Sequence, residues 1–168
     1  MRILGIDPGT AIVGWGVVES DPKASNKLRC EGYGVITTDK SMAHSKRLVA
    51  VYQGVLSLLR EVKPDMVAIE KLFASRNVTT VMTVSEARGV ILLAIEQEGY
   101  AIHELTPQQV KQGLTGYGNA KKQQVQEMAQ RVLNLESIPK PDDAADALAV
   151  AVTAVDQLRV SQRISAGR

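Results

Sequence analysis

The chain has 168 residues, and among them one cysteine, two histidines, one phenylalanine and one tryptophan. A single Cys30 excludes an internal disulfide and suits a reducing compartment. His44 and His103 form no ligand pattern with it, which argues against zinc, and both read as structural or surface residues. No apolar run reaches the roughly 20 residues that a membrane-spanning helix needs. The N-terminus reads as a short strand interrupted by Asp7, not as the apolar core of a signal peptide, so a cytoplasmic location is expected. Repeats and low-complexity tracts are missing too, which leaves no sign of a second domain. Residues 1–158 are expected to form one domain, with 159–168 a disordered basic tail. Hydrophobic residues at 45% and charged residues at 23% are enough for a packed core in a globular protein. A formal charge of +2 permits a nucleic-acid partner without selecting one.

Carboxylates in unusual places are what the chain does have. Asp7 closes the run Ile3-Leu4-Gly5-Ile6, and Glu70 closes Met66-Val67-Ala68-Ile69. Asp143 and Asp146 open a segment, Ala144 to Val155, that is almost wholly Ala, Leu and Val. An ionised carboxylate at the edge of a core is costly without a partner, and several together cost more without a cation. With oxygen as the only ligand type, Mg²⁺ or Mn²⁺ is favoured over zinc, and metal-assisted phosphoryl chemistry is indicated.

Periodicity predicts the order of elements. Residues 2–7 read as a buried strand ended by Asp7-Pro8-Gly9, a type II turn signature, and residues 12–19 as its hairpin partner. A third strand is expected over 28–37, then an amphipathic helix through Leu48, Val51, Val55 and Leu59 that ends near Lys63-Pro64. Short strands at 67–70 and 100–105 flank a long apolar helix that passes through Val90 to Glu98. Helices at about 107–114, 121–134 and 143–158 complete the chain. This is a five-stranded mixed sheet with helices on both faces. If the first and fourth strands are parallel neighbours, Asp7 and Glu70 reach one sheet edge together.

Several of these residues admit a second reading. Asp7 also suits the start of a Pro-Gly turn, and Glu70 an ion pair with Lys71. Asp142 or Asp143 suits a helix N-cap, whereas Asp146 lies inside the helix between alanines. Lys111, Lys121, Lys122 and Arg131 gather late in the chain, with Lys121 and Arg131 reading as solvated. Asn119 is the expected N-cap of the helix that bears Lys122, with free amides there for a phosphate. Phe73, three residues beyond Glu70, suits either stacking on an unpaired base or a place in the core.

Five segments together resemble the RuvC-type Holliday junction resolvases of bacteria. They are Ile3 to Thr10, Ala68 to Phe73, Ala87-Arg88-Gly89-Val90, Gln109-Val110-Lys111-Gln112, and Asp143 to Ala149. The resemblance implies an RNase H-like fold, a homodimer, and Mg²⁺-dependent paired nicking of four-way junction DNA, with the RuvA-RuvB branch-migration complex as partner. It makes Asp7, Glu70, Asp143 and Asp146 the metal-binding catalytic set, and members carry either Asp or His at the position of Asp143. Lys111 and Lys122 match lysines near the cleaved strand, and Phe73 matches an aromatic at the junction centre. Two Mg²⁺ ions are expected, with Mn²⁺ able to substitute, Asp7 bridging, Glu70 on one ion and the Asp143/Asp146 pair on the other. The apolar helix with Val90, Leu92 and Leu93 is expected to form the dimer contact. Three further readings stand beside this one: a nuclease of the same fold acting on RNA·DNA hybrids, a junction binder without activity, and an actin-like ATP-dependent kinase, for which one domain of this length lacks the second lobe.

Overall fold

A computed structural model describes residues 1–21, 27–72 and 78–166. Strands β1 (Arg2–Asp7), β2 (Ile12–Ser20) and β3 (Leu28–Thr37) form an antiparallel meander. Helix α1 (His44–Val62) follows, and Lys63 stops it in the left-handed conformation, returning its N–H to the Leu59 carbonyl. Strand β4 (Met66–Glu70), helix α2 (Val78–Gln97) and strand β5 (Ile102–Leu105) come next. Helices α3 (Pro107–Thr115), α4 (Lys122–Val132) and α5 (Asp142–Ala166) end the chain. The sheet order is β3-β2-β1-β4-β5, with β1, β4 and β5 parallel.

Alternation along the strands sorts the core into two layers. Leu4, Ile6, Val67 and Ile69 point to the layer shared with α1 and α2. Ile3 and Ala68 point the other way, into the layer with α3, α4 and α5. Gly5 shares that second face, where an added Cβ would stand 2.2 Å from the Ala147 carbonyl oxygen of α5. An added Cβ on Gly14 of β2 would stand 2.0 Å from the Asp143 carbonyl oxygen. The missing side chains, with Ala144, Ala147 and Ala151 fully buried on α5, let that helix lie almost backbone to backbone on the sheet centre.

Three local expectations are corrected. Gly9 does not take the positive φ of a type II turn; among the described glycines only Gly99 and Gly116 do. The loop is held instead by distant partners: Thr10 Oγ1 donates to the Thr83 carbonyl at 2.8 Å, and Thr38 Oγ1 to the Thr10 carbonyl at 2.7 Å. Asn119 does not cap α4. The Ala120 N–H closes a separate turn onto the Tyr117 carbonyl, and the cap falls at Lys121, whose N–H donates to Gln124 Oε1 at 2.8 Å. The last helix does not stop near 158 but runs to Ala166. Once nucleated, a helix extends without apolar periodicity, and Arg159 ties this extension down by donating to Ser20 Oγ at 2.7 Å.

Candidate active site

The period of two along a strand brings the first two acids together. Gly5 pairs with Ala68 and Ile6 with Ile69 in the parallel ladder, so the next residues, Asp7 and Glu70, leave the sheet side by side. Both belong to the face covered by α5, because each lies two residues beyond a member of that face, Gly5 or Ala68. Asp7 also pairs with Gly14 across the hairpin, and Gly14 is the residue on which Asp143 rests. One close contact between helix and sheet therefore delivers the start of α5 to Asp7. Asp146 follows one turn later on the same helix face.

Electrostatics register the convergence. Burial pushes the Asp7 carboxyl up to about 8, and the negative charges of Glu70, Asp146 and Asp143 add to it, with Lys122 opposing. Burial likewise lifts Glu70 to about 7, with Asp146 adding and Lys111 and Lys122 opposing. The turn reading of Asp7 and the Lys71 ion pair for Glu70 both give way to this acidic centre. Asp142 behaves differently: it is half exposed and bound to Lys140 Nζ at 2.6 Å, which holds it below the usual carboxylate range.

Cations stand on the other wall. Lys122, at the first turn of α4, places its Nζ 2.7 Å from Asp146 Oδ2. Desolvation works against the charge on Lys122, but the hydrogen bond to Asp146 and the nearby acids outweigh it and raise its pKa. Lys111 on α3 lines a cleft of about 260 Å³ together with Glu70, Lys122 and Asp146. The α3 helix is anchored by a reciprocal cap, Thr106 Oγ1 accepting from the Gln109 N–H and Gln109 Oε1 accepting from the Thr106 N–H. Lys121 and Arg131 are exposed, as expected of solvated positions. Phe73 lies outside the described residues.

Two contributors escaped the sequence reading. Gln126, buried on α4, donates from Nε2 to Asp146 Oδ1 at 3.1 Å. Its only signal in the sequence is that it stands four residues after Lys122, on the same helix face. Arg88 on α2 donates from Nε to the Glu70 carbonyl at 3.2 Å, and its guanidinium pairs with Glu104 of β5. Arg88 lies in one of the five matched segments, but nothing in the local sequence reveals that it clamps the end of β4.

Among the described residues, no three acidic side chains already close around a metal ion. Lys122 occupies Asp146 in that arrangement. By charge and by ligand type the set still fits a hard divalent cation, because Asp7 is crowded by three acids and offers only oxygen. The cation would take over the charge balance that Lys122 supplies here.

A family model described as "Crossover junction endodeoxyribonuclease RuvC" matches residues 3–154. The chain belongs to the RuvC family. The RuvC of Brevibacillus brevis is 50% identical over 99% of this chain and 98% of its own. That of Fusobacterium nucleatum is 49% identical over the whole of this chain and 86% of its own. Among solved structures, Thermus thermophilus RuvC superposes with a TM-score of 0.87 at 34% identity, covering 96% of this chain and 97% of that one. The same RuvC in complex with a Holliday junction substrate gives 0.85 at 31% identity, covering 95% and 96%. The fold is therefore RNase H-like, the architecture of RuvC, as the resemblance implied.

Proposed function

We propose that this chain is a structure-specific endodeoxyribonuclease that resolves four-way DNA junctions in recombination and repair by paired, symmetric nicks. The observation that carries the reading is Asp7, a half-buried carboxyl raised to about 8 by burial and by the three acids around it, in a chain of the RuvC family. Asp7, Glu70, Asp143 and Asp146 would hold Mg²⁺, two ions per site, with Mn²⁺ as a substitute. Bound there, the ions would supply a water of lowered pKa and neutralise charge growing on the departing 3′-oxygen. Asp7 and Glu70 orient that centre from the rigid sheet edge, and Asp143 and Asp146 close it from α5. Lys111 and Lys122 place positive charge along the cleft wall, where a scissile phosphate gains most from fixed charges. Products would carry 5′-phosphate and 3′-hydroxyl ends.

Two equivalent strands call for two equivalent sites, which a twofold homodimer supplies. Leu93 of α2 and Val49 of α1 are more than half exposed and line one shallow apolar groove with Leu48, Tyr52 and Val90. Val90 and Leu92 also pack inward on the α1/α2 layer, so Leu93 rather than the whole stripe would make the dimer contact. No described helix is long and apolar enough to cross a membrane. Acting on chromosomal DNA, the protein would work in the cytoplasm, with the RuvA-RuvB complex as its partner. Phe73 would stack on a base at the crossover.

The test is strand cleavage with Mg²⁺ on a four-way junction, a duplex and an RNA·DNA hybrid of matched sequence. Paired nicks at symmetric positions in the junction alone are expected. Cleavage of the hybrid in preference to the junction would replace this reading with a hybrid nuclease, and junction binding without nicks would leave an architectural binder. In the same assay, Lys122→Ala is expected to slow cleavage by about 10²-fold, the scale of one preorganised donor. Its junction affinity should fall only slightly, because one phosphate contact is a small share of the total. Arg131→Ala should change neither.

A further inference from the structure

Asp146 is held by both of its oxygens, and both partners come from α4. Lys122 Nζ takes Oδ2 at 2.7 Å, and Gln126 Nε2 takes Oδ1 at 3.1 Å. The two partners differ in their freedom to leave. Lys122 has a side chain 57% exposed and a long flexible stem, whereas Gln126 is only 5% exposed. Its neighbours on the packed side of α4, Val125 and Ala129, are apolar and buried. A buried amide is costly unless hydrogen-bonded, and an apolar side chain of the same length would pack there without that demand. What distinguishes Gln126 from such a side chain is the N–H it gives to Asp146.

We propose that Gln126 is a positioning residue, fixing Oδ1 of Asp146 so that Oδ2 is the oxygen offered to a divalent cation when Lys122 withdraws. The proposal rests on reading Asp146 as a metal ligand. A neutral amide suits this task better than a second cation. It steadies the carboxylate without neutralising it, and so does not compete with the ion for the same charge. It also keeps its hold whether or not Lys122 has moved, because the two donors use different oxygens.

The experiment is a Mn²⁺ titration of the full chain without DNA, free Mn²⁺ being read by electron paramagnetic resonance. Gln126→Met, which keeps length and loses the donor, is expected to raise the Mn²⁺ dissociation constant by about tenfold or more, the usual scale for an outer hydrogen-bond partner of a ligand. Gln126→Asn keeps the amide but falls one methylene short. It should show a similar loss, and it serves if the Met variant fails to fold. In an Asp146→Asn background neither substitution should weaken binding further, since Gln126 acts only through that carboxylate. An unchanged dissociation constant in folded Gln126→Met overturns the proposal, and so does an equal loss in both backgrounds, which would mark general packing. Wild-type protein that binds no Mn²⁺ overturns the metal reading and the proposal together. Failure of the junction reading would register in the cleavage assay and not in this one.

Discussion

Replacing Asp7 by Asn is expected to abolish junction cleavage and, at the same time, to raise the melting temperature of the metal-free protein at pH 8. The first effect follows from the position of Asp7, where β1 leaves the sheet beside Glu70 and beneath Asp143. The second follows from what its charge does to the fold. In the folded chain the Asp7 carboxyl is raised from 3.8 to about 8, first by burial and then by Glu70, Asp146 and Asp143. The native state therefore keeps a proton that the unfolded chain releases near pH 4. Asp7 contributes stability below that pH, and the contribution is lost as pH rises to about 8. Asn carries no charge to lose. Metal-free wild type should melt progressively lower from pH 5 to 8, and Asp7→Asn should flatten that slope, most visibly near pH 8. Each kcal/mol recovered is worth about 2–4 °C for a chain of this size. Mg²⁺ should stabilise the wild type more than the variant. Junction affinity should survive, because phosphate contacts supply most of it. A variant that melts lower than wild type at pH 8 would show that Asp7 is not held against its charge.

Gly14→Ala should damage the site without touching any acid. The new methyl would need the space of the Asp143 carbonyl oxygen, 2.0 Å away, and backbone on both sides leaves it no flexible neighbour to displace. Either α5 lifts from the hairpin or β2 bends, and Asp143 and Asp146 move with respect to Asp7 and Glu70. Misplacement by about 1 Å can slow a reaction by about 10²-fold, so cleavage should fall on that scale. Overpacking of this kind typically costs about 1–3 kcal/mol, so the melting temperature should drop as well. Junction affinity measured with EDTA should change little at a temperature where the variant is folded. Cleavage near the wild-type rate from a folded Gly14→Ala chain would mean that the approach of α5 to the sheet does not set the geometry of the acids.

Neither residue in these experiments is equally visible in the sequence. Asp7 stands out because it puts a charge at the end of Ile-Leu-Gly-Ile, although a Pro-Gly turn also suits it, and Glu70 stands out in the same way after Val-Ala-Ile. Gly14 does not stand out at all: within Val13-Gly14-Trp15-Gly16 it reads as an ordinary strand glycine. The strands of 2–7 and 28–37 and the helix entering Lys63-Pro64 were legible because their apolar period and their stop signals agree. Asn119 misled, since a good capping residue is a local preference that a neighbouring turn can override. The end of α5 misled for the opposite reason, because a polar helix held by Arg159 and Ser20 has no apolar period to read.

Residue order and spacing were enough to single out Asp7, Glu70, Asp143 and Asp146 as candidates, to order the strands and helices, and to point to a family. These depend on local preference and on the spacing of residues along the chain. Packing alone reveals that Lys122 and Gln126 share the two oxygens of Asp146, that Arg88 holds the Glu70 carbonyl, and that Gly5 and Gly14 admit α5 to the sheet. Each of those is a contact between elements far apart in the chain. Hydrogen-bond partners and backbone approach across such distances leave no periodic trace in sequence, because they arise only when the packed layers bring the two surfaces together.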